Sequence, residues 1–225
     1  MVRGSKSAAR AAKPLAALAL AAAAMILAGC VNLSNYGKVA PYARDARVKM
    51  PVALPANAPS ISQQFMDVSR KGEKGHLGLD IAAPIGTPVL AASGGRVYLS
   101  YHEPMYGNRI IIDHGKGPDG RLSYTVYKHL DQRMAQAGTI VARGQQIGTL
   151  GDTGLLSSYP HLHFEVLREK TPGRRFASGK NWWQGMVQED PNKFWAAGPG
   201  RPTCAPGTAG GQGELPITYP AACAP

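Results

Sequence analysis

Two short clusters in this 225-residue chain carry the residue types of a hydrolytic metal site. The first is Gly75-His76-Leu77-Gly78-Leu79-Asp80 and the second, some eighty residues on, is His161-Leu162-His163-Phe164-Glu165. Imidazole nitrogens and carboxylate oxygens are the donors that catalytic zinc takes, with about three protein ligands and one position left for water. Water so placed becomes a nucleophile near neutral pH, because its pKa falls toward roughly 7. Two histidines and one carboxylate drawn from these clusters meet that requirement. An H-x-H pair alone is a weak signal, since such pairs are more often structural.

Strands must position these groups. Gly75 and Gly78 break any helix through the first cluster, and apolar residues alternate through the second. Strand positions two or four apart share a face. His76 and Asp80 are therefore expected to point one way, as are His161, His163 and Glu165, while Leu162, Phe164 and Val166 turn to a core. Short β-runs punctuated by glycine surround the clusters, at residues 88–92, 96–101, 109–113, 122–129, 139–142, 146–150 and 161–167, with a hairpin signal at Gly94-Gly95. No long amphipathic helix and no internal repeat interrupts them. The pattern predicts a mainly antiparallel β domain of about 110 to 130 residues, enough for one core, in which ligands from distant strands meet on an open, concave groove. Gly78 would allow close backbone approach between His76 and Asp80, and Gly151 and Gly154 would shape the loop before the H-x-H strand. His114 reads as support for a strand end, His102 as a surface residue, and Glu165 as a partner either to a ligand histidine or to an unrelated cation. Tyr106 and Asn108 lie in a glycine-containing loop, where groove lining and turn chemistry explain them about equally.

From Ser62 to Glu165 the chain resembles the M23 peptidase family, the LytM or lysostaphin-type zinc endopeptidases that cut peptidoglycan cross-bridges. The resemblance runs in the family's order through GHLGLDIAA (75–83), PIGTPVLA (84–91), YGNRIIIDH (106–114), YKHL (127–130), GQQIGTLGDTG (144–154) and HLHFEV (161–166). It implies a β-sandwich-like M23 peptidase domain with an open active-site groove. It also implies Zn2+ held by His76, Asp80 and His163, with His129 and His161 as catalytic histidines that are not ligands. The implied reaction is hydrolysis of peptidoglycan peptide cross-links by metal-activated water, at D-Ala-to-diaminopimelate bonds in a Gram-negative host. Two other functions compete with it: a non-catalytic LytM-type regulator of cell-wall amidases, or an envelope zinc peptidase acting on non-wall peptides. The complete ligand set counts against the regulator. At Phe65-Met66-Asp67 the chain departs from the common pattern, in which a glycine and a nearby arginine follow the phenylalanine.

Arg3, Lys6, Arg10 and Lys13 precede an Ala/Leu-rich run over residues 15–28, the layout of an export signal. The run, about fifteen apolar residues, is short for a membrane span. It ends in Leu27-Ala28-Gly29-Cys30, which resembles a bacterial lipobox with Cys30 as the lipidated residue. Multiple acyl chains anchor more firmly than one, and Val31 in place of an aspartate points to the outer membrane, facing the periplasm. The expected organisation is a lipoprotein signal peptide at 1–29, a tether with Pro41, Pro51, Pro55 and Pro59 at 30–60, a peptidase-type domain at 61–197, and a Gly/Pro/Ala-rich tail at 198–225. Cys204 and Cys223 form the expected disulfide of an exported chain. Asp190-Pro191-Asn192-Lys193-Phe194-Trp195 resembles the way family domains close, and at least one of Trp182 and Trp183 is expected to pack on the core. Loss of the signal lowers the formal charge from +11 to about +7. A basic exported protein is attracted to anionic glycan, peptide carboxylates and lipid headgroups, whereas nucleic acid is in the wrong compartment. Peptidoglycan peptides and the membrane are the expected partners, with cell-wall enzymes or division proteins as further possibilities.

Overall fold

The β-branched run Ile110-Ile111-Ile112 and the alternating segment 161–167 seed the two central parts of a sheet, since such side chains fit a pleated, half-buried surface. The computed structural model describes residues 50–66, 75–173, 183–205 and 215–225. Cys30, the signal-like segment, Asp67 and Trp182 lie outside them. Among the described residues the strands are β1 (Ser60–Gln63), β2 (Leu79–Ala82), β3 (Pro88–Leu90), β4 (Gly95–Glu103), β5 (Gly107–Lys116), β6 (Leu122–Arg133), β7 (Ile140–Val141), β8 (Gln146–Leu150), β9 (His161–Glu169) and β10 (Met186–Glu189). They form one sheet in the order β1-β2-β9-β6-β5-β4-β7, with β10 added to β9 and with β8 joining β3 to β6. These strand pairings are antiparallel. The fold is the mainly β, antiparallel one expected.

Period-two alternation divides the sheet into two faces. Leu79, Ile81, Ile110, Ile112, Tyr127, Leu162, Phe164 and Val166 are fully buried on one face and form the main core. Ile111, Val126 and Leu167 point the other way and are covered by Tyr98, Leu99, Tyr101, Tyr124 and Met186. Burial of each such aliphatic or aromatic side chain contributes roughly 1.5–3 kcal/mol. Tight packing of the first face therefore fixes which residues the second face can present.

The domain does not stop at residue 197. Leu215, Ile217, Tyr219 and Ala221 are buried in the main core. Ile217 bridges to Trp195 and Ala221 bridges to Val89, and the Tyr219 hydroxyl donates to Pro59 O at 2.7 Å. The segment read as a tail thus contributes a strand-like insert, because its apolar residues alternate at period two beneath the Pro and Gly that dominate its composition. Cys204 and Cys223 are disulfide-bonded, with Cα atoms 5.9 Å apart. At the other end Val52, Leu54 and Ala58 pack on the same core, so the tether has joined the domain by residue 52.

His114 performs the strand-end role. Its Nδ1 donates to Gly94 O and its Nε2 meets Thr125 Oγ1, both at 2.8 Å, tying the turn before β4 to β6. Burial pushes its pKa below the ordinary value, against smaller upward effects of Gly94 and Asp113. The unfolded chain then binds the proton more readily, so stability from this residue is fully present above about pH 6.5 and is lost as pH falls toward the folded value. His114→Gln should therefore flatten the decline of the urea midpoint between neutral and mildly acidic pH. An unchanged slope would show that the decline comes from other groups.

Candidate metal centre

Register brings the two clusters together. Asp80 on β2 lies directly opposite His163 on β9, and Lys128 on β6 lies opposite His163 on its other side. His76 is placed differently from expectation. Four residues of continuous strand span about 13 Å, too far for two ligands of one ion. Here β2 starts only at Leu79, and His76 is held before it by a two-way backbone bridge to Met66, at 2.8 and 2.9 Å. The chain bends at Gly78, where a Cβ would fall 2.5 Å from Phe164 O and 2.9 Å from His163 Nε2. That bend brings His76 Nε2 to 3.1 Å from Asp80 Oδ1.

The three donor atoms form a tight triangle. His163 Nδ1 is 2.7 Å from Asp80 Oδ1 and 3.2 Å from His76 Nε2. Donors of a tetrahedral zinc site with bonds near 2.0–2.1 Å lie about 3.3 Å apart. The remaining ring nitrogens fix the tautomers: His76 Nδ1 donates to Gln64 O at 2.9 Å, and His163 Nε2 donates to Glu165 Oε1 at 3.0 Å. In neutral rings this turns both lone pairs toward the Asp80 carboxylate. Three electron-pair donors facing one another at these distances repel unless a cation lies between them, and partners on the far ring nitrogens are what metal-ligating histidines require. His76, Asp80 and His163 thus form a group that can hold a metal ion.

His129 and His161 stand beside this triangle. Their ring centroids are 4.7 Å apart, and the His129 ring is 6.3 Å from that of His163. His161 Nε2 is 3.7 Å from Asp80 Oδ1. His129 has φ +62°, a conformation that non-glycine residues rarely adopt. It falls where β6 leaves β9, after Lys128, and takes up β8, from Leu130, and where the register against β5 shifts. This bulge aims the imidazole at the site. His129 Nδ1 donates to Thr153 O and His161 Nδ1 donates to Tyr159 O, both at 2.7 Å. Each neutral ring therefore presents an unprotonated Nε2. The Thr153 loop packs tightly on the β4–β5 turn, where a Cβ on Gly154 would meet Gly107 N at 2.3 Å. Tyr159 stacks on His161 with centroids 4.5 Å apart.

Electrostatics separates the groups. Burial raises the Asp80 carboxyl, but the His163 and His76 imidazoles beside it outweigh that effect and hold the group well below the usual carboxylate range. Burial lowers His129 to about 4, only partly opposed by Thr153, and lowers His161 in the same way against Asp80. Both rings are neutral at pH 7. His163 moves the other way, because Asp80 and Glu165 outweigh its burial.

His102 on β4 and His114 on β5 are not part of this group, and the Cys204–Cys223 disulfide lies outside the strands. Sequence reasoning passed over Lys128, Gln64, Thr153 and Tyr159. Lys128 had one signal, a lysine between Val126 and Leu130 at the period-two positions of a buried strand. The backbone carbonyls of the other three carry no side-chain signature.

An antiparallel β domain with a two-histidine, one-carboxylate centre is the class of protein that fold and site define. The family model described as Peptidase family M23 matches residues 74–174, and this stretch is an M23 peptidase domain. Similar curated proteins include the peptidoglycan DD-endopeptidases ShyB and ShyC of Vibrio cholerae. ShyB is 41% identical over 97 residues, 43% of this chain and 21% of that protein. ShyC is 43% identical over 94 residues, 42% of this chain and 20% of that protein. A crystal structure of a zinc-containing peptidase from Vibrio cholerae is 36% identical, with 52% of this chain and 35% of that chain covered and a TM-score of 0.44. The chain spans about a fifth of the length of the curated relatives it matches.

Proposed function

We propose that the protein is a zinc-dependent endopeptidase that hydrolyses peptide cross-links of peptidoglycan. The observation that carries this is the convergence of His76 Nε2, Asp80 Oδ1 and His163 Nδ1 beside two neutral histidines whose Nε2 atoms are free of a proton. Zinc bound there supplies Lewis acidity, making water a better nucleophile and a peptide carbonyl a better electrophile. His129 and His161 handle the proton. Either Nε2 can take the proton from the attacking water; the ring then carries an Nε2–H that supports the oxyanion as water adds to the carbonyl and passes the proton on to the leaving amine. The carbonyls of Thr153 and Tyr159 keep each ring in the tautomer this needs. The shared stretch with DD-endopeptidases supports the cross-link as substrate. The lipobox-like Leu27-Ala28-Gly29-Cys30 supports anchoring through Cys30, at the outer membrane facing the periplasm.

The test is digestion of purified sacculi and cross-linked muropeptide dimers by the zinc-loaded chain, with a chelated sample and a His163→Ala variant alongside, read by mass spectrometry. Monomers released from dimers only by the zinc-loaded wild type are expected, and their masses identify the bond. A folded, zinc-binding chain that leaves both substrates intact would sink the endopeptidase reading.

A further inference from the structure

Lys128 and Glu165 are both buried. They are joined Nζ to Oε1, and the same Oε1 accepts the His163 Nε2 hydrogen at 3.0 Å. The ammonium also lies 4.1 Å over the Tyr106 ring. A buried ion pair is a poor source of stability, because desolvation of both charges cancels much of their attraction, and an apolar pair of the same size often does as well. The position of this pair, one hydrogen bond from a candidate ligand, gives it another use.

We propose that Lys128 is a positioning residue for the metal centre, holding Glu165 as a fixed, ionised acceptor for His163 so that the two charged residues act as one unit on the ligand. The proposal rests on the metal-centre reading of His76, Asp80 and His163. With Lys128 absent, Glu165 is a buried carboxylate without a counter-charge and loses the contact that fixes its rotamer. With Glu165 neutralised, Lys128 is an uncompensated cation beside a site for a dication. With both made neutral, neither penalty arises, and a glutamine at 165 still accepts from Nε2.

This predicts a specific non-additivity in zinc affinity, measured on the full chain by competition with a chromogenic chelator. Glu165→Gln and Lys128→Met should each weaken zinc binding about ten- to a hundred-fold, the usual range for groups that orient a ligand histidine. The double variant should bind at least about ten-fold more tightly than Glu165→Gln. A double variant as weak as Glu165→Gln, or weaker, overturns the coupling. Should Glu165→Gln fail to fold, Lys128→Met decides, and an affinity within threefold of wild type overturns the proposal. Zinc binding by wild type with no change in any variant defeats this proposal alone. Failure of the wild type to bind zinc defeats the metal-centre reading beneath it.

Discussion

Asp80→Ala should remove almost all of the stabilisation that zinc gives the protein. In a protein that binds metal only when folded, free zinc at a hundred times Kd adds about 2.7 kcal/mol, or roughly 5–10 °C in Tm for a domain of this size. Structural zinc sites with four ligands bind with about 10–16 kcal/mol, so one ligand is worth roughly 3 kcal/mol, about two orders of magnitude in Kd. At the same free zinc the variant would therefore gain only about 0.4 kcal/mol, near 1 °C. The geometry makes Asp80 the most telling choice, since its Oδ1 touches both imidazole donors, at 3.1 and 2.7 Å. Its loss leaves two lone pairs 3.2 Å apart with no anion between them. Thermal unfolding with chelator and with excess zinc, for wild type and variant, checks this. Equal zinc-induced shifts in the two proteins would show that the metal is held elsewhere.

The strands carrying the site were legible because each is written locally. Leu162, Phe164 and Val166 alternate with His161, His163 and Glu165, and the sheet keeps that division. Strand β8 falls at residues 146–150 as its pattern indicates. What escaped depends on pairing between distant segments. The expectation that His76 and Asp80 share one strand failed because periodicity says which face a residue occupies but not whether the chain is straight, and Gly78 bends it. The bulge at His129 has no local mark, since β6 reads as one continuous run although it changes partners there. Residues 215–221 were hidden by composition, because Pro and Gly suggest a tail while every second residue is apolar. The Lys128–Glu165 pair joins positions 37 residues apart, and only the register of β6 on β9 brings them together.

The backbone at His129 allows its chemical role to be separated from its structural one. At φ +62° a side chain costs about 1–2 kcal/mol relative to glycine, whereas glycine at an ordinary strand position loses roughly 0.5–1 kcal/mol to alanine through chain entropy. His129→Gly should therefore equal His129→Ala in stability or exceed it by up to about 1.5 kcal/mol, the reverse of the usual order. Both variants lose the hydrogen bond to Thr153 O and the contact with His161, so these effects cancel in the comparison. Both should also lose about 10²- to 10⁴-fold in cleavage of muropeptide dimers, the usual worth of a positioned proton carrier. Zinc affinity should stay within a few fold of wild type, because the His129 ring lies outside the donor triangle, 6.3 Å from that of His163. Activity within ten-fold of wild type would remove His129 from the proton path. Loss of zinc together with activity would make it a ligand instead. Intact zinc binding, lost turnover and a glycine variant at least as stable as the alanine one would together mean that the strained backbone exists to deliver an imidazole, since a fold that needed only the bulge would do better with glycine.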